Sequence, residues 1–134
     1  MPAKLSDGVK KLFAEPNFAH IATLMPDGSP QVTPVWVELE GERIIVNTAE
    51  GRVKPRNVRR DPRVAVSITN RENHYQAAYI RGRVVELRHE GADGSIDRLA
   101  KKYIGQDRYP WRRPGEQRVT TIIEPEHVGS MMVD

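Results

Sequence analysis

Short segments in which apolar and polar residues alternate recur along this 134-residue chain, and turn signals separate them. The second half of residues 31–40 (QVTPVWVELE), for example, places a valine or leucine at every second position. Asp27-Gly28 precedes this segment and Glu40-Gly41 follows it, and the glycine of each dipeptide favours a tight hairpin turn. A period of two indicates strands with one buried face, so this part of the chain predicts a three-stranded antiparallel meander.

The rest of the chain predicts more strands and a few short helices. Further strand-like segments occur at three places: residues 63–69, 75–87 and 118–128. Apolar residues have helical spacing at residues 5–13 and 96–105, and Pro55 together with the stop at Asp61-Pro62 predicts another short helix near residues 55–60. No repeat or linker divides the sequence, so we expect a single domain over residues 1–134. A β-rich α+β domain of this kind, with about six antiparallel strands, favours a small closed or split barrel, because closure removes exposed sheet edges.

Several classes of site have no signal in the sequence. The chain contains no cysteine, which excludes disulfides, thiolate catalysis and cysteine-type zinc sites. Its four histidines are isolated, and no nucleophile-elbow, Walker or dinucleotide-binding motif occurs, so we assign no catalytic residue and no metal ligand. No apolar run approaches the roughly 20 residues that span a bilayer, and the first residues lack the apolar core of a secretory signal. We therefore expect a cytoplasmic protein with no membrane partner.

The positive charge of the chain is concentrated in residues 52–63 (RVKPRNVRRDPR), the basic segment. It holds six cations and one carboxylate, a local charge of +5, whereas the whole chain carries +3. Cations this close repel one another unless an anion neutralises them. The segment follows Gly51, which suits a tight turn, and it leads into a helix whose N-terminal amides and dipole favour an anion.

Arg52 and Lys54 are the two cations that come just before this predicted helix. They are two positions apart, so in an extended lead-in both side chains would face the same way and could clamp one phosphate. The alternative is a solvated basic face on a surface helix, and the spacing alone does not decide between the two.

Two further features have both a structural and a functional interpretation. Pro34 removes a hydrogen-bond donor from a predicted strand, which places that strand at an edge, at a bulge or against a ligand. Tyr109 and Trp111 lie in a loop rich in arginine, where contact with a ligand or partner accounts for them better than burial. A platform for single-stranded nucleic acid would need aromatic residues along a continuous basic groove, which the pattern lacks, so we expect no nucleic-acid partner.

Taken in order, these segments resemble the split-barrel flavin or deazaflavin reductases related to pyridoxamine 5′-phosphate oxidase. The resemblance covers nearly the whole chain and rests on the opening helix followed by HIATLMPDGSPQVTPVWVE, IIVNT, GRVKPRNVRRDPRVAVSI, YIRGRVVEL and YPWRRPGEQRVTTIIEPEHV. Within that superfamily the chain is most similar to the deazaflavin (coenzyme F420)-dependent oxidoreductases. Its most specific part is the pattern RxKxRNxRRDPR at residues 52–63.

The resemblance implies a six-stranded antiparallel split barrel of the FMN-binding type, with helices, that forms a homodimer with its cofactor sites at the interface. In such proteins a lysine and an arginine before the short helix hold the cofactor phosphate. The cofactor-binding residues implied for this chain are Arg52, Lys54, Arg56, Asn57, Thr48, Thr33, Pro34, Val35, Trp36 and Tyr75. Residues 33–36 would face the cofactor ring, and Tyr75 would cover it from the other subunit.

The function implied is hydride transfer between coenzyme F420 and a small activated alkene or quinone-like substrate. The cofactor carries that chemistry, so no catalytic constellation is required of the chain. FMN is the alternative cofactor, as in a flavin reductase or a relative of pyridoxamine phosphate oxidase, and a cofactor carrier without activity is a third possibility. The surplus charge at Arg56, Arg59 and Arg60 favours F420, whose phosphate and glutamate tail are more anionic than FMN.

Overall fold

The structure of the chain, a computed structural model, describes residues 2–134. Three helices and seven strands form within these residues: α1 (Asp7–Ala14), β1 (Ala19–Leu24), β2 (Pro30–Val35), β3 (Val37–Glu40), β4 (Arg43–Ala49), α2 (Val53–Arg60), β5 (Arg63–Thr69), β6 (Ala77–Arg88), α3 (Ala92–Ile104) and β7 (Arg118–Met131). Ser6 caps α1 through its hydroxyl and Gly105 ends α3, as the sequence predicts.

The predicted second strand, residues 31–40, bends at Trp36 and becomes β2 and β3. The strands pair in the order β2-β1-β5-β6-β7-β4-β3, and every pair is antiparallel. β2 and β3 are the two ends of this order, although Trp36 alone separates them in the chain. The bent strand therefore joins both edges of the sheet and closes it into a split barrel. The fold class is confirmed, and the expected six strands become seven because one strand changes partner.

The bend at Trp36 is held by packing against α3. The Trp36 indole stacks on the Tyr103 ring, with the ring centroids 5.4 Å apart and 5° between their planes. The backbone N–H of Val37 donates to the Tyr103 hydroxyl at 3.2 Å, and that hydroxyl donates to the Asn17 carbonyl at 2.6 Å. Lys102 donates to the Val37 carbonyl at 2.6 Å. Helix α3 thus fixes the chain at the point where it leaves one sheet edge and joins the other.

The barrel core is apolar, and α1 packs against β3, β5 and β6. The sequence correctly predicts the buried faces of α1 and β5, which comprise Val9, Leu12 and Phe13 on the helix and Val64, Val66 and Ile68 on the strand. On the outside of the barrel, α3 packs against β4 and β7 through its buried residues Ile96 and Leu99. This arrangement leaves a space between α3, the bent strand and the start of α2.

Candidate functional site

A cavity of about 280 Å³ opens between the bent strand, the start of α2, helix α3 and the loop before β7. Its apolar wall contains Phe18, Pro34, Val35, Trp36, Ile96, Leu99, Tyr109 and Trp111. Its polar wall contains Asn47, Thr48, Arg52, Lys54 and Arg118. The cavity joins an aromatic surface to a cluster of cations, so it suits a ligand that has a planar ring and an anionic group.

The start of α2 lies at the polar wall. Gly51 has a φ of +88°, a left-handed conformation that favours glycine and that turns the chain from β4 into the helix. Arg52 is the N-cap residue, and no side chain caps the helix. The helix begins at Val53, earlier than predicted, so Lys54 lies in its first turn and not in an extended lead-in. With no acidic residue in that turn, the helix N-terminus attracts an anion through its free amides and its dipole.

Lys54 is a partly buried cation with a neutral partner. Its Nζ donates to the Thr33 hydroxyl at 3.1 Å, and it forms no ion pair with the residues that the structure describes. Burial lowers the pKa of Lys54 below its ordinary value of 10.5, and the charge of Arg52 lowers it further. Both effects penalise the ammonium form, so an anion placed beside Lys54 would relieve them.

Buried polar groups from β4 and β7 complete this wall. Thr48 is 2% exposed, and its hydroxyl has no hydrogen-bond partner within residues 2–134. Arg118 is 5% exposed, and it donates from Nε to the Asn47 side-chain oxygen at 2.9 Å and from Nη1 to Glu116 at 3.1 Å. Buried polar groups are normally paired, so the unpaired Thr48 hydroxyl indicates a place where a ligand can bond.

The aromatic wall is built on Trp36. Tyr109 meets the indole edge-on with the ring centroids 6.1 Å apart, and Trp111 meets it at a tilt with the centroids 6.3 Å apart. The loop that carries both residues is fixed to α3, because Asp97 accepts from the Tyr109 backbone N–H at 2.9 Å and from the Arg112 guanidinium. The structure thus places Tyr109 and Trp111 beside the cavity, where their contact with a ligand stays a prediction.

Pro34 lies at a sheet edge, as its structural interpretation predicts, and its contact with a ligand stays a prediction. It lies on β2, which ends the order of strands and pairs only with β1, and an edge strand is where a proline is tolerated. It also lines the cavity together with Val35 and Trp36. Thr33, the first residue of this predicted stretch, contacts Lys54 instead of lining the cavity.

The second half of the basic segment lies outside the cavity and is bonded to the protein. Arg59 forms a two-pronged ion pair with Glu50, with both distances 2.6 Å, and Arg63 pairs with Asp61 at 2.7 Å. Asp61 of the segment and Glu50 of the preceding turn therefore neutralise part of the charge of this half. Arg56 is exposed and has no ion pair among the described residues.

Besides Thr33 and Arg56, two further predicted site residues do not line this cavity. Asn57 is 2% exposed, and its amide donates to the Thr23 hydroxyl at 2.9 Å while its oxygen accepts from Arg60 at 2.6 Å. These bonds tie α2 to the barrel, so the structure gives Asn57 a supporting position. Tyr75 precedes β6 and is 70% exposed. Its predicted contact with a cofactor held by the other subunit stays a prediction.

Sequence reasoning missed Arg118 and Glu116, which lie at the start of β7 and just before it. The available signal was an arginine at the head of RVTTII, a strand whose other residues suit burial. Within residues 2–134 no group of three or more His, Asp or Glu side chains is placed to hold a metal. None of the helices described here is long and apolar enough to span a bilayer.

Comparison with known proteins agrees with the fold. A solved structure named F420 reductase is 28% identical and covers 93% of this chain and 98% of its own, with a TM-score of 0.81. A conserved hypothetical protein from Mycobacterium tuberculosis is 20% identical, with coverages of 97% and 86% and a TM-score of 0.74. General Stress Protein 26 from Bacillus anthracis is 13% identical, with coverages of 96% and 94% and a TM-score of 0.69. The last two similarities support the fold alone.

A search of proteins with curated functions gives no match to this sequence. The family described as pyridoxamine 5′-phosphate oxidase matches residues 5–131, which include every strand of the barrel and all three helices. The chain therefore belongs to the pyridoxamine 5′-phosphate oxidase family of split-barrel proteins.

Proposed function

We propose that this protein is an oxidoreductase that binds coenzyme F420 in the cavity and transfers hydride between it and a small activated alkene or quinone-like substrate. The observation that carries the proposal is the cavity itself, in which an aromatic wall meets Arg52 and Lys54 at the start of α2. The resemblance of the chain to a structure named F420 reductase, at 28% identity over nearly its whole length, supports the deazaflavin over FMN as the cofactor.

The polar wall fits a cofactor that carries a phosphate. Lys54 lacks a carboxylate partner within the described chain and Arg52 is the N-cap residue, so both can hold the phosphate at the helix N-terminus. The buried Thr48 hydroxyl offers another bond. The Trp36 indole and the backbone of residues 33–36 would then face the ring.

The residues of the chain supply binding and orientation in this proposal. When bound in its reduced form, coenzyme F420 supplies the hydride, and no side chain need act as acid, base or nucleophile. Tyr109 and Trp111 wall off one side of the cavity, so they exclude water from a bound ring. Apolar and aromatic walls favour a flat, weakly polar acceptor over a charged one, which supports the alkene or quinone-like class.

We also propose that the protein is a homodimer and that the partner's copy of Tyr75 covers the cofactor ring. The outer face of β1, β2, β5, β6 and β7 supports this, because it holds a second cavity of about 550 Å³ and exposes Val32 (63%) and Tyr79 (53%). The Tyr79 ring lies against Gly129, where a Cβ would come within 2.1 Å of the ring. Light scattering at micromolar concentration should give the dimer mass, and a monomer mass contradicts the assembly.

Fluorescence offers a direct test of cofactor binding. The chain has two tryptophans, Trp36 and Trp111, and both line the cavity, so a bound deazaflavin or flavin should quench their emission. Titration of the purified protein with F420 and separately with FMN should show tighter binding of F420. Tighter binding of FMN would overturn the choice of cofactor, and binding of neither would overturn the proposal.

Activity is tested with the reduced cofactor. Protein, reduced F420 and a quinone-like or activated-alkene acceptor should restore the absorbance of the oxidised cofactor faster than the same mixture without protein. Lys54→Ala is the matched control, since its weaker binding should lower the rate at limiting cofactor. Binding without turnover on any acceptor of these classes would instead support a cofactor carrier.

A further inference from the structure

Arg118 is a buried guanidinium to which the proposed function gives no role. It is 5% exposed, it lines the cavity, and its guanidinium lies 5.1 Å from the centroid of the Tyr109 ring. Its Nε and Nη1 donate to Asn47 and Glu116, whereas its Nη2 donates to no acceptor within residues 2–134. A buried cation is costly unless its donors are bonded, so an acceptor in the cavity would complete this group.

Glu116 connects Arg118 to the predicted phosphate clamp. One oxygen of its carboxylate accepts from Arg118 Nη1 at 3.1 Å, and the other accepts from Arg52 Nη2 at 3.2 Å. The Glu116 side chain is 9% exposed and that of Arg118 is 4% exposed, so their bond is shielded from solvent and from screening by salt, whereas the Arg52 side chain is 49% exposed. A single carboxylate therefore fixes two guanidinium groups, one from the N-cap of α2 and one from β7, on the same side of the cavity.

The charges that meet at this wall match a phosphate group. Arg52, Lys54 and Arg118 are three cations and Glu116 is one carboxylate, which leaves a charge of +2 facing the cavity. A phosphate monoester such as that of FMN carries about −1.5 to −2 at neutral pH, and a phosphate that also links to a tail, as in F420, is a diester with a charge of about −1, so the excess of positive charge favours either anion. The unpaired Thr48 hydroxyl lies in the same wall, because β4 and β7 pair with Ala49 opposite Arg118. Donors from α2, β4 and β7 thus line the same wall of the cavity.

We infer that Arg118 is a third anion-binding residue of the cavity and that Glu116 is a positioning residue that holds Arg118 and Arg52 as one unit around the cofactor phosphate. The inference rests on the proposed function for the identity of the cofactor and on the geometry for the anion. The planar guanidinium of Arg118 can donate two hydrogen bonds in a fixed geometry, whereas the ammonium of Lys54 is a compact charge. Glu116 touches no ligand itself.

The sign of one mutational effect separates positioning from simple electrostatics. Glu116→Gln removes a negative charge from the wall, so a purely electrostatic site would bind a phosphate more tightly. A positioning role predicts the opposite, because the amide cannot accept strong bonds from both guanidinium groups. We expect Glu116→Gln to bind F420 about tenfold more weakly in spite of the added positive charge.

Arg118→Lys and Glu50→Gln complete the set of variants. Arg118→Lys keeps the positive charge but loses the planar guanidinium and its paired donors, and we expect it to bind F420 about tenfold more weakly. Glu50→Gln is the matched control, because Glu50 pairs with Arg59 outside the cavity and its loss should leave the affinity unchanged. Thermal melting of each variant verifies folding, and if Arg118→Lys does not fold, the sign of the Glu116→Gln effect decides.

The titrations use two probes, F420 and inorganic phosphate, both followed by tryptophan emission with the bound state confirmed by calorimetry. Weaker binding of both probes to Glu116→Gln and Arg118→Lys supports the inference. Equal or tighter binding of both probes to Glu116→Gln, or unchanged binding to folded Arg118→Lys, overturns it. If the unaltered protein binds phosphate but not F420, the proposed function fails and the phosphate titrations alone decide. If it binds neither probe, both proposals fail.

Discussion

The two halves of the basic segment, residues 52–57 and 58–63, each hold three cations but lie in different environments. In the first half, Arg52 and Lys54 line the cavity; Arg52 pairs with the nearly buried Glu116, and Lys54 has only a hydroxyl as its partner among the described residues. In the second half, Arg59 and Arg63 point into solvent and form ion pairs with Glu50 and Asp61. The segment therefore combines a candidate site and a solvated basic face, the two interpretations that the spacing alone could not separate.

The comparison shows that a run of charges does not define a site. What distinguishes the first half is the absence of a carboxylate beside Lys54 within the described chain and the presence of a concave wall opposite it. An exposed arginine that is paired outside the cavity gains little from a further anion, because solvent and salt already screen it. A half-buried, unpaired lysine gains much more. The predictions below test this difference, in order of decreasing effect.

Removing one cation from each half should give unequal results. Lys54→Ala should weaken F420 binding by about 1.5–3 kcal/mol, or roughly ten- to hundredfold, because it removes a charge-assisted bond to the phosphate. Arg63→Ala removes the same charge from the exposed half and should change the affinity less than about twofold. Fluorescence titration measures both, and equal losses would erase the distinction between the two halves.

The affinity of the first half should also depend on pH. Lys54 has a pKa below 10.5, and a bound anion stabilises its charged form, so binding is strongest while Lys54 is protonated. As pH rises through the lowered pKa of Lys54, F420 affinity should fall by up to about tenfold per pH unit. Burial also lowers the pKa of Lys102, to about 8, so a second lysine titrates below the ordinary value of 10.5. Lys54→Arg isolates the effect, since its charge does not titrate there and its profile should be flat.

Asn57 lies where the two halves of the segment meet, and its role should appear in stability. Asn57→Ala leaves the Thr23 hydroxyl and Arg60 without their bonds to this side chain, and it should lower the free energy of unfolding by about 1–2 kcal/mol. Urea denaturation measures the loss. If the variant instead keeps its stability and loses cofactor affinity, Asn57 is a direct cofactor ligand, as the family resemblance implies.

The smallest effects belong to the exposed arginines. A triple variant, Arg56, Arg59 and Arg60 each to Gln, should weaken F420 binding by a few tenths to about 1 kcal/mol for each arginine that reaches the glutamate tail, and it should flatten the salt dependence of binding. Because Arg59 and Arg60 are bonded to Glu50 and Asn57, Arg56→Gln alone should account for most of the loss. FMN, which has no glutamate tail, should bind the triple variant, Arg56→Gln and the unaltered protein equally well. Equal losses for both cofactors would indicate a structural role.

The sequence predicts most of the secondary structure, because periodicity is a local property. The buried faces of α1 and β5 follow from their apolar spacing, and Ser6 and Gly105 mark helix ends through capping and left-handed geometry. The sequence does not predict the break at Trp36, because the apolar–polar alternation continues through the position where the chain changes its partner strand. That break depends on Tyr103, which lies 67 positions away in the chain and stacks on the indole.

The candidate site also follows in part from the sequence and in part from the tertiary structure. By itself the sequence determined the turn at Gly51, the cations at the start of α2 and the absence of a cysteine or motif-based catalytic site. Only the tertiary structure decided which cations are neutralised, since Glu50 and Glu116 come from outside the segment. It also brought Arg118 to the cavity through the pairing of β4 with β7. The reason is physical: local backbone preferences act over a few residues, whereas charge pairing and burial depend on distances that folding alone sets.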